Sequence, residues 1–272
     1  MIASKTYVQK AMENEALFPM KKFSQNFLIN NDIVNKIVDI IDYKLGDQIV
    51  EIGPGLGALT ENIINRSYPI DAYEIDERMC EHLIKTFSSY DIFNLKRGDF
   101  LKQNLSNYSK DVRVISNLPY ALTTPIIEKV LLETPNLKQF VFMVQKEVVE
   151  RLSAKIKTKE YSPLSIFIEY LGKLTKEVSV RKTEFFPIPN VDSTVFSIRI
   201  DKERNMDFDK KFYRFLKQCF SMRRKTIVNN LSGVYGKENV NNVLNIKGFS
   251  LTIRPEEISL NQYLEIFNEF NK

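Results

Sequence analysis

Short apolar runs alternate with helical patterns through much of this chain of 272 residues. Runs with the length and composition of buried strands lie at residues 48–52, 70–75, 93–96, 112–115 and 139–144. Helical patterns lie at residues 32–41, 58–64, 77–87 and 124–132. Strands that alternate with helices form a mostly parallel sheet that binds ligands at the carboxyl ends of its strands. We therefore predict an α/β fold of the Rossmann-like type.

The pattern changes after about residue 201. Before that point, further strand material is predicted at residues 166–171, 176–180 and 194–200. Beyond it, helical patterns follow one another at residues 208–220, 224–231, 239–244 and 261–270. We therefore predict a first domain over residues 1–203, with an N-terminal extension over 1–30, and a small all-helical domain over 204–272.

The composition is that of an ordinary globular protein, with 43% hydrophobic and 27% charged residues. No apolar run has membrane-spanning length, and the N-terminus lacks the apolar stretch of a signal peptide. A soluble, cytoplasmic protein that acts as a monomer is the expectation. The two cysteines and the single histidine, His82, form no metal-ligand spacing, so neither a zinc site nor histidine-based catalysis is expected.

A glycine-rich turn, EIGPGLG at residues 51–57, joins the first predicted strand of the alternating region to a helix. Glycines such as Gly53 and Gly55 allow a tight turn and a close approach of the backbone to a ligand. The spacing differs from the G-x-G-x-x-G dinucleotide pattern and looks like motif I of S-adenosylmethionine-dependent methyltransferases. A purely structural turn is the alternative.

Two acids follow the next predicted strands. Glu74 lies about twenty residues past the turn, where an acid can accept hydrogen bonds from both hydroxyls of a ribose. Asp99 follows the third strand, where a carboxylate can accept from an adenine amino group. Either acid taken alone could simply lie on the protein surface. The glycine turn, Glu74 and Asp99 each follow a predicted strand, however, and together they predict a nucleoside-containing cofactor.

The fourth strand runs into Asn117, Leu118, Pro119 and Tyr120. The exocyclic amine of a base is a poor nucleophile, and an acceptor on each N–H steadies the positive charge that develops during methylation. The Asn117 side-chain oxygen and the Leu118 carbonyl are candidate acceptors, and Tyr120 offers a ring for stacking on the base. The alternative, if the chain has no cofactor site, is that these four residues only form a turn between a strand and a helix.

A second aromatic segment, FFPIPNVDS at residues 185–193, offers another flat surface. A base that is methylated must leave its helix and stack between flat groups. Packing in the core is the alternative for this segment, and we accept it for Phe186.

The segment 210–225 contains seven basic residues and no acid. On a helix, its apolar residues would share one face and its basic residues the opposite face. Exposed lysines often have no specific partner, but the absence of acids favours a surface that contacts RNA phosphates. The candidate RNA-binding residues are Lys210, Arg214, Lys217, Arg223, Arg224 and Lys225.

These motifs together resemble the ribosomal RNA adenine N6,N6-dimethyltransferases of the KsgA type over nearly the whole chain. The segments that carry the resemblance are 21–28 (KKFSQNFL), 51–57, 117–120 (NLPY), 185–193, 223–231 (RRKTIVNNL) and 254–260, together with Glu74 and Asp99. The resemblance implies S-adenosyl-L-methionine as cofactor, and dimethylation of two adjacent adenosines in a hairpin loop near the 3′ end of 16S ribosomal RNA in the 30S subunit. It implies cofactor contacts at Asn26, Leu28, Gly53, Glu74, Asp99 and Asn117, to which the glycine turn adds Gly55. It implies target-base contacts at Asn117, Leu118, Tyr120 and Phe185.

One residue departs from this pattern, because Ser24 stands where the family usually has glycine. Enzymes that dimethylate an adenine of 23S ribosomal RNA often carry serine there, and they are the alternative. The glycine turn, Leu118 and the intact RRKT stretch at 223–226 favour the small-subunit enzyme. A non-catalytic RNA-binding assembly factor with the same fold is a third reading, which the intact set of motif residues disfavours.

Overall fold

The structure is a computed structural model, and it describes residues 1–20 and 25–271; the side chains of Tyr120 and Lys146 lie outside this description. In chain order, the strands are β1 Phe27–Leu28, β2 Gln48–Ile52, β3 Ile70–Glu74, β4 Phe93–Arg97, β5 Val112–Asn117, β6 Leu137–Gln145, β7 Gly172–Val180, β8 Phe185–Phe186 and β9 Ser193–Ile200. The α-helices are α1 Lys5–Glu15, α2 Asn31–Asp39, α3 Ala58–Ile64, α4 Glu77–Phe87, α5 Thr123–Glu133, α6 Lys146–Leu152, α7 Pro163–Leu171, α8 Met206–Cys219, α9 Ile227–Tyr235, α10 Lys237–Ile246 and α11 Leu260–Phe270.

The central sheet has the strand order β4-β3-β2-β5-β6-β9-β7 within the described part of the chain. The neighbouring strands from β4 to β6 are parallel, and β9 runs antiparallel to β6. Strands β2, β5 and β6 are buried along nearly their whole length, as expected for strands that are covered on both faces. The α/β fold predicted from the alternating pattern is thus confirmed.

The strand register brings the predicted site residues to one edge of the sheet. Ile52 at the end of β2 lies opposite Tyr73 of β3 and Ser116 of β5. The residues that follow these strands therefore meet at the carboxyl edge, where parallel sheets bind ligands. The glycine turn, Glu74 and Asn117 all lie there.

An N-terminal segment that the sequence patterns did not reveal as a helix contributes to the hydrophobic core of this part of the chain. Helix α1 begins at the N-cap Ser4, whose side chain accepts from the Tyr7 amide, and it buries Val8, Ala11 and Met12. Farther along, β1 pairs antiparallel with β8, which places Phe27 opposite Phe186 and Leu28 opposite Phe185. Of the predicted motif at 21–28, residues 21–24 lie outside the described residues, and so does Ser24.

The chain separates into two compact units, which we call unit 1 and unit 2. Unit 1 comprises Met1–Val149 and Lys173–Asp201, and unit 2 comprises Glu150–Gly172 and Lys202–Lys272. Residues 150–172, which we assigned to the first domain, therefore group with the C-terminal helices. The functional division at residues 203 and 204 stays a prediction.

One strand prediction was wrong, because residues 166–171 belong to helix α7. Ser162 caps this helix in a reciprocal pair of hydrogen bonds with Ser165, and Pro163 occupies its first turn. The helix is buried on most of its circumference, so its sequence shows no amphipathic period. A short apolar run of this kind cannot be told from a buried strand by periodicity. The serine–proline start was the signal that distinguished them.

Unit 2 is built around aromatic side chains. The ring of Phe267 lies 5.3 Å from those of Phe208 and Phe215 and 5.4 Å from that of Phe212. Helix α8 buries its apolar face in this cluster and exposes Lys210, Arg214 and Lys217, as its periodicity predicted.

No helix within residues 1–20 and 25–271 is long and apolar enough to cross a membrane.

Candidate active site at the carboxyl edge of the sheet

The glycine turn needs its glycines for steric reasons. Gly55 and Gly57 have φ angles of +58° and +89°, in the left-handed region that residues with a side chain rarely adopt. A Cβ on Gly57 would lie 2.6 Å from the Phe87 ring, and one on Gly55 would lie 3.1 Å from the Phe27 ring. The turn is therefore packed closely between helix α4 and strand β1. Gly53 and Gly55 of this turn also line the cavity described below.

Glu74 is buried at the end of β3 and holds the glycine turn in place. Its Oε2 accepts from the Gly55 amide at 3.0 Å, and its Oε1 accepts from the Ile75 and Asp76 amides at 2.9 Å each. Burial raises the pKa of the Glu74 carboxyl, although the three backbone donors act against that rise. A carboxylate has about four lone-pair positions, so this arrangement leaves one on Oε2 for a ligand hydroxyl.

Glu51 is a second buried carboxyl at the same edge, and it faces the cavity described below. It is 1% exposed, and its Oε2 accepts from the Thr60 hydroxyl of α3 at 2.6 Å. Burial raises the pKa of Glu51 to about 8; the Thr60 hydrogen bond lowers it, and the nearby charge of Glu74 raises it further. Glu51 can therefore change its protonation state near neutral pH.

Asp76 connects this edge to the N-terminal segment. It accepts from the Gln25 amide at 3.1 Å and from the Arg78 guanidinium at 2.6 Å. Burial acts to raise the pKa of Asp76, but the hydrogen bonds from Arg78 and Gln25 outweigh it, and the pKa lies below its ordinary value. Gln25 also accepts from the Met20 amide at 2.8 Å, so one side chain joins two parts of the chain to the strand end.

Asn117 is oriented by its own side-chain nitrogen at the end of β5. Its Nδ2 donates to the Asn26 carbonyl at 3.2 Å. Within the described chain, no residue donates to its Oδ1, so this oxygen is an acceptor for a ligand. The preceding residue, Ser116, donates from its hydroxyl to the Ile52 carbonyl at 2.7 Å. That buried bond joins β5 to β2 directly below the glycine turn.

Leu118 presents its carbonyl beside Asn117. The Leu118 amide donates to the Met143 carbonyl of β6 at 3.1 Å, which anchors the chain as it leaves the strand. The next carbonyl, that of Pro119, accepts from the Leu122 amide at 3.0 Å and from the Thr123 hydroxyl at 3.3 Å. The Leu118 carbonyl accepts no hydrogen bond from the residues described. Two acceptors with open lone pairs, Asn117 Oδ1 and this carbonyl, thus lie one residue apart.

These groups surround a cavity of about 260 Å³ in unit 1. Among its lining residues are Asn26, Leu28, Gly53, Gly55, Glu74, Asn117 and Leu118, all of which we singled out from the sequence. Apolar side chains complete the wall, including Ile2 and Val8 from the N-terminal segment and Ile75 after β3. The cavity therefore combines an apolar lining with a small number of polar acceptors, as small-molecule sites do.

Three predicted site residues stand apart from this set. Asp99 does not line the cavity; its Oδ1 accepts from the Leu101 amide at 2.9 Å and caps a short 3-10 helix. Phe185 has no exposed area, so its ring can reach a base only if its surroundings open; Phe186 is the half-buried one of the pair. The Tyr120 side chain lies outside the described residues. The roles assigned to all three stay predictions.

Sequence reasoning missed several residues that line the cavity or hydrogen-bond to the residues around it. Gln25 and Ser116 are adjacent to predicted residues, and a polar side chain beside Asn26 or Asn117 was the available signal. Thr60 lies one helical turn into α3, where a polar residue facing a buried acid could have been inferred from the register of the helix. The contribution of Ile2 and Val8 left no local signal, because it depends on tertiary packing alone.

The single histidine lies outside the cavity lining. His82 is 3% exposed and bonds to Tyr7 through Nε2 at 3.2 Å and to Glu15 through Nδ1 at 3.1 Å. It thus fastens helix α1 to helix α4. No group of three or more His, Cys, Asp or Glu side chains in the described ranges could hold a metal ion.

Relatives of known name match this chain over nearly its full length. A family model described as ribosomal RNA adenine dimethylase matches residues 19–272. A protein of Malacoplasma penetrans named ribosomal RNA small subunit methyltransferase A is 38% identical over 265 residues, which cover 95% of this chain and 94% of the relative. A protein of the same name from Borreliella burgdorferi is 34% identical, with 98% and 94% covered.

Solved structures agree with these matches. A dimethyladenosine transferase from Plasmodium falciparum has a TM-score of 0.71 and 26% identity, and the match covers 90% of this chain and 97% of that one. The 23S rRNA methyltransferase ErmE has a TM-score of 0.66 at 22% identity, with 91% and 100% covered, which shows a shared fold. The fold is that of the Rossmann-like methyltransferases. Within that class, the chain belongs to the ribosomal RNA adenine dimethylase family.

Proposed function

We propose that this protein dimethylates the N6 amines of two adjacent adenosines in the 3′-terminal hairpin loop of 16S ribosomal RNA, within the 30S subunit or its precursor. The observation that carries the proposal is the pair of open acceptors, Asn117 Oδ1 and the Leu118 carbonyl, beside a cavity that Glu74 and the glycine turn also line. The names of the relatives, which act on the small subunit, support the choice of RNA.

The cavity suits S-adenosyl-L-methionine, which is the methyl donor of the family. Glu74 keeps one lone pair for a ribose hydroxyl, and Leu28 and Ile75 offer apolar surface to a flat base. Glu51 supplies a carboxyl for the cationic part of the ligand. When bound, this cofactor supplies an electrophilic methyl group on a sulfonium. The roles of Asn26, Gly53, Gly55 and Asp99 as further contacts belong to the same proposal.

The protein's part in the reaction is to hold the amine. Each N–H of the adenine amine donates to one acceptor, the first to Asn117 Oδ1 and the second to the Leu118 carbonyl. Two such bonds favour a tetrahedral nitrogen, whose lone pair is no longer delocalised into the ring, and they stabilise the positive charge that develops on it. The proton leaves from an amine that has become cationic, so solvent can accept it and no strong general base is needed.

The target base must leave its stack to reach these acceptors. We assign its stacking partner to Tyr120, whose backbone begins the short helix Tyr120–Leu122 after the acceptors. Phe185, which pairs with Leu28 across strands β1 and β8, is the second proposed contact of the base; because its ring is fully buried, this contact requires its surroundings to open.

The basic residues of unit 2 complete the proposal as an RNA-binding surface. Lys210, Arg214 and Lys217 share the exposed face of α8, and Arg223, Arg224 and Lys225 follow it. Such a surface reads the backbone and shape of folded RNA rather than its sequence. Because the substrate is the small ribosomal subunit, we place the activity in ribosome biogenesis in the cytoplasm. A monomer stays the expected form.

The test is transfer of label from methyl-labelled S-adenosylmethionine to immature 30S subunits. The controls are 50S precursors and 16S RNA without proteins. We expect dimethylated adenine N6 at two neighbouring positions near the 3′ end of the small-subunit RNA, mapped by nuclease digestion and mass spectrometry.

Two outcomes would overturn this function. Label on 23S RNA alone would assign the enzyme to the large subunit, as the serine at position 24 suggests. An absence of label on every substrate, while the protein still binds the 30S subunit, would favour a non-catalytic assembly factor.

A further inference from the structure

A lysine-rich loop of unit 2 is not accounted for by the fold or by the cavity. It spans residues 153–160, between α6 and α7, and carries Lys155, Lys157 and Lys159. All three side chains are exposed. None of them forms an ion pair with any residue that the structure describes. Three like charges on one short loop repel each other, so the loop carries an electrostatic cost that a bound anion would relieve.

The loop has a defined backbone conformation. The amide and the hydroxyl of Thr158 both donate to the Lys155 carbonyl, at 3.2 and 2.6 Å. The Thr158 carbonyl in turn accepts from the Tyr161 amide at 3.3 Å. Tyr161 is 1% exposed and donates from its hydroxyl to the Ile258 carbonyl at 3.1 Å, which anchors the end of the loop in the core of unit 2. The backbone that carries the lysines is therefore ordered before any ligand binds.

Two more hydrogen bonds attach the loop to distant parts of the sequence. The Lys157 amide donates to the Glu256 carbonyl at 2.8 Å, and Lys157 has a φ of +67°, which is unusual for a residue with a side chain. The Arg223 guanidinium donates to the Thr158 carbonyl at 3.0 Å. That second bond places the loop directly beside the basic residues 223–225.

The two basic segments together form a strongly cationic area. Lys155, Lys157, Lys159 and residues 223–225 contribute six positive charges. The acids of the segments that meet there are Glu160, Glu256 and Glu257, and Glu257 already accepts from the Arg254 amide at 2.7 Å. The positive charges thus exceed the negative ones. The two basic segments lie more than sixty residues apart in the sequence, so the sequence pattern alone did not connect them.

We propose that Lys155, Lys157 and Lys159 form one continuous phosphate-contacting surface with Arg223, Arg224 and Lys225, and that its ligand is the backbone of structured RNA. The proposal rests on the proposed function and extends it to a loop outside the basic stretch that the sequence showed. Lysine ammonium groups are compact, hydrated charges that contact phosphate without reading bases, and a cationic surface on a fixed backbone suits a folded RNA.

The test compares two triple variants that lose the same charge. In the first, Lys155, Lys157 and Lys159 are replaced by glutamine. In the matched control, the exposed lysines Lys44, Lys110 and Lys237 are replaced in the same way; they lie far from the loop in sequence and form no ion pair within the described chain. Binding of each protein to protein-free 16S RNA, and to immature 30S subunits, is measured between 50 and 200 mM salt.

Each phosphate contact to RNA contributes roughly 0.7 to the slope of log affinity against log salt, so loss of three contacts should reduce the slope by about 2. We therefore expect the affinity advantage of the wild type over the loop variant to shrink by about 15- to 20-fold across this salt range, on RNA and on subunits alike. The control variant should lose little affinity. Cofactor binding and the melting temperature should be unchanged in both variants.

Two results would overturn the proposal. If the loop variant matches the control, the three lysines do not contact RNA. If it loses affinity for subunits but binds protein-free RNA normally, the loop contacts a ribosomal protein. Failure of the wild-type protein to methylate the small subunit would instead remove the proposed function, so the two failures are distinguishable.

Discussion

The cavity of unit 1 and the cationic surface of unit 2 handle charge in opposite ways. In the cavity, Glu51 and Glu74 are 1% and 4% exposed, and each is held by hydrogen bonds from the protein. On unit 2, Lys155, Lys157 and Lys159 are exposed and form no ion pair within the part of the chain that the structure describes. The cavity thus fixes its polar atoms in space, whereas the surface leaves its charges in water.

This difference decides how each region responds to substitution. A fixed polar atom acts through geometry in a site shielded from water, so its removal has a large effect that salt does not screen. An exposed lysine contributes one weak, screened interaction among several, so its removal has a small effect that fades as salt rises. Substitutions in the two regions therefore test the comparison directly.

The largest effect is expected for Asn117→Ala. The variant loses the acceptor for one amine N–H, and the loss of one transition-state hydrogen bond typically lowers kcat by about 100- to 1000-fold. Cofactor affinity should change only a few-fold, because the cavity keeps Glu74 and the glycine turn. Single-turnover methylation of 30S subunits measures the first quantity, and calorimetric titration with S-adenosylmethionine measures the second.

Ser116→Ala is the matched control for that variant, because it removes a side chain at the same strand end. Ser116 bonds to the Ile52 carbonyl and does not line the cavity, so its loss should lower stability by about 1 kcal/mol and leave kcat within a few-fold. The Asn117→Ala deficit should be equal at 50 and 200 mM salt. A deficit that shrinks with salt, or normal turnover, would rule out the acceptor role.

Glu74→Ala should have the next largest effect, on cofactor affinity. The variant removes the ribose acceptor and also releases the Gly55 amide, and hydrogen bonds to a charged group contribute about 1.5–3 kcal/mol. We expect affinity for S-adenosylmethionine to fall by about 10- to 100-fold, by calorimetry. Faster hydrogen exchange at Gly55 would show the second contribution separately.

Asp71→Ala provides the comparison on the same strand. Asp71 accepts from Asn94 and Tyr108 and does not line the cavity, so its loss should leave cofactor affinity within about twofold. If Glu74→Ala and Asp71→Ala weaken binding equally, the effect comes from strand β3 as a whole. Glu74 would then have no direct part in the site.

The sequence was sufficient to predict where the residues at the strand ends lie, because the topology of a parallel sheet determines their position. In a parallel sheet, the carboxyl ends of successive strands lie at one edge, so Glu74 and Asn117 had to lie near the glycine turn once the alternating pattern was read. Helix α8 was predictable for a similar reason, since its period of 3.6 separates buried Phe212 and Phe215 from exposed Arg214.

What the sequence could not show depends on contacts between distant segments. Phe185 is buried because β8 pairs with β1, and nothing in its own neighbourhood predicts that pairing. Lys157 joins the basic surface because its loop bonds to Glu256 and Arg223, which are far away in the sequence. Helix α7 was missed because a helix buried on most sides has no polar face to reveal its period.

Glu51 gives the smallest and most specific prediction, a pH dependence of cofactor binding. With a pKa raised to about 8, Glu51 is largely neutral at pH 7. A ligand with a sulfonium charge favours the ionised carboxylate, so binding releases a proton from Glu51. Affinity should therefore increase as pH rises toward 8, by at most about tenfold per pH unit, and then level off above that pH.

Glu51→Gln isolates this effect, because glutamine can still accept from Thr60 but cannot ionise. Any titration of the ligand's own amino group affects both proteins equally, so the ratio of wild-type to variant affinity reports Glu51 alone. The ratio should increase between pH 6 and 8 for S-adenosylmethionine and change much less for S-adenosylhomocysteine, which lacks the sulfonium charge. A ratio that is independent of pH, or equal pH dependence for both ligands, would show that Glu51 does not sense the charge of the bound ligand. The comparison with unit 2 would then rest on Glu74 and Asn117 alone.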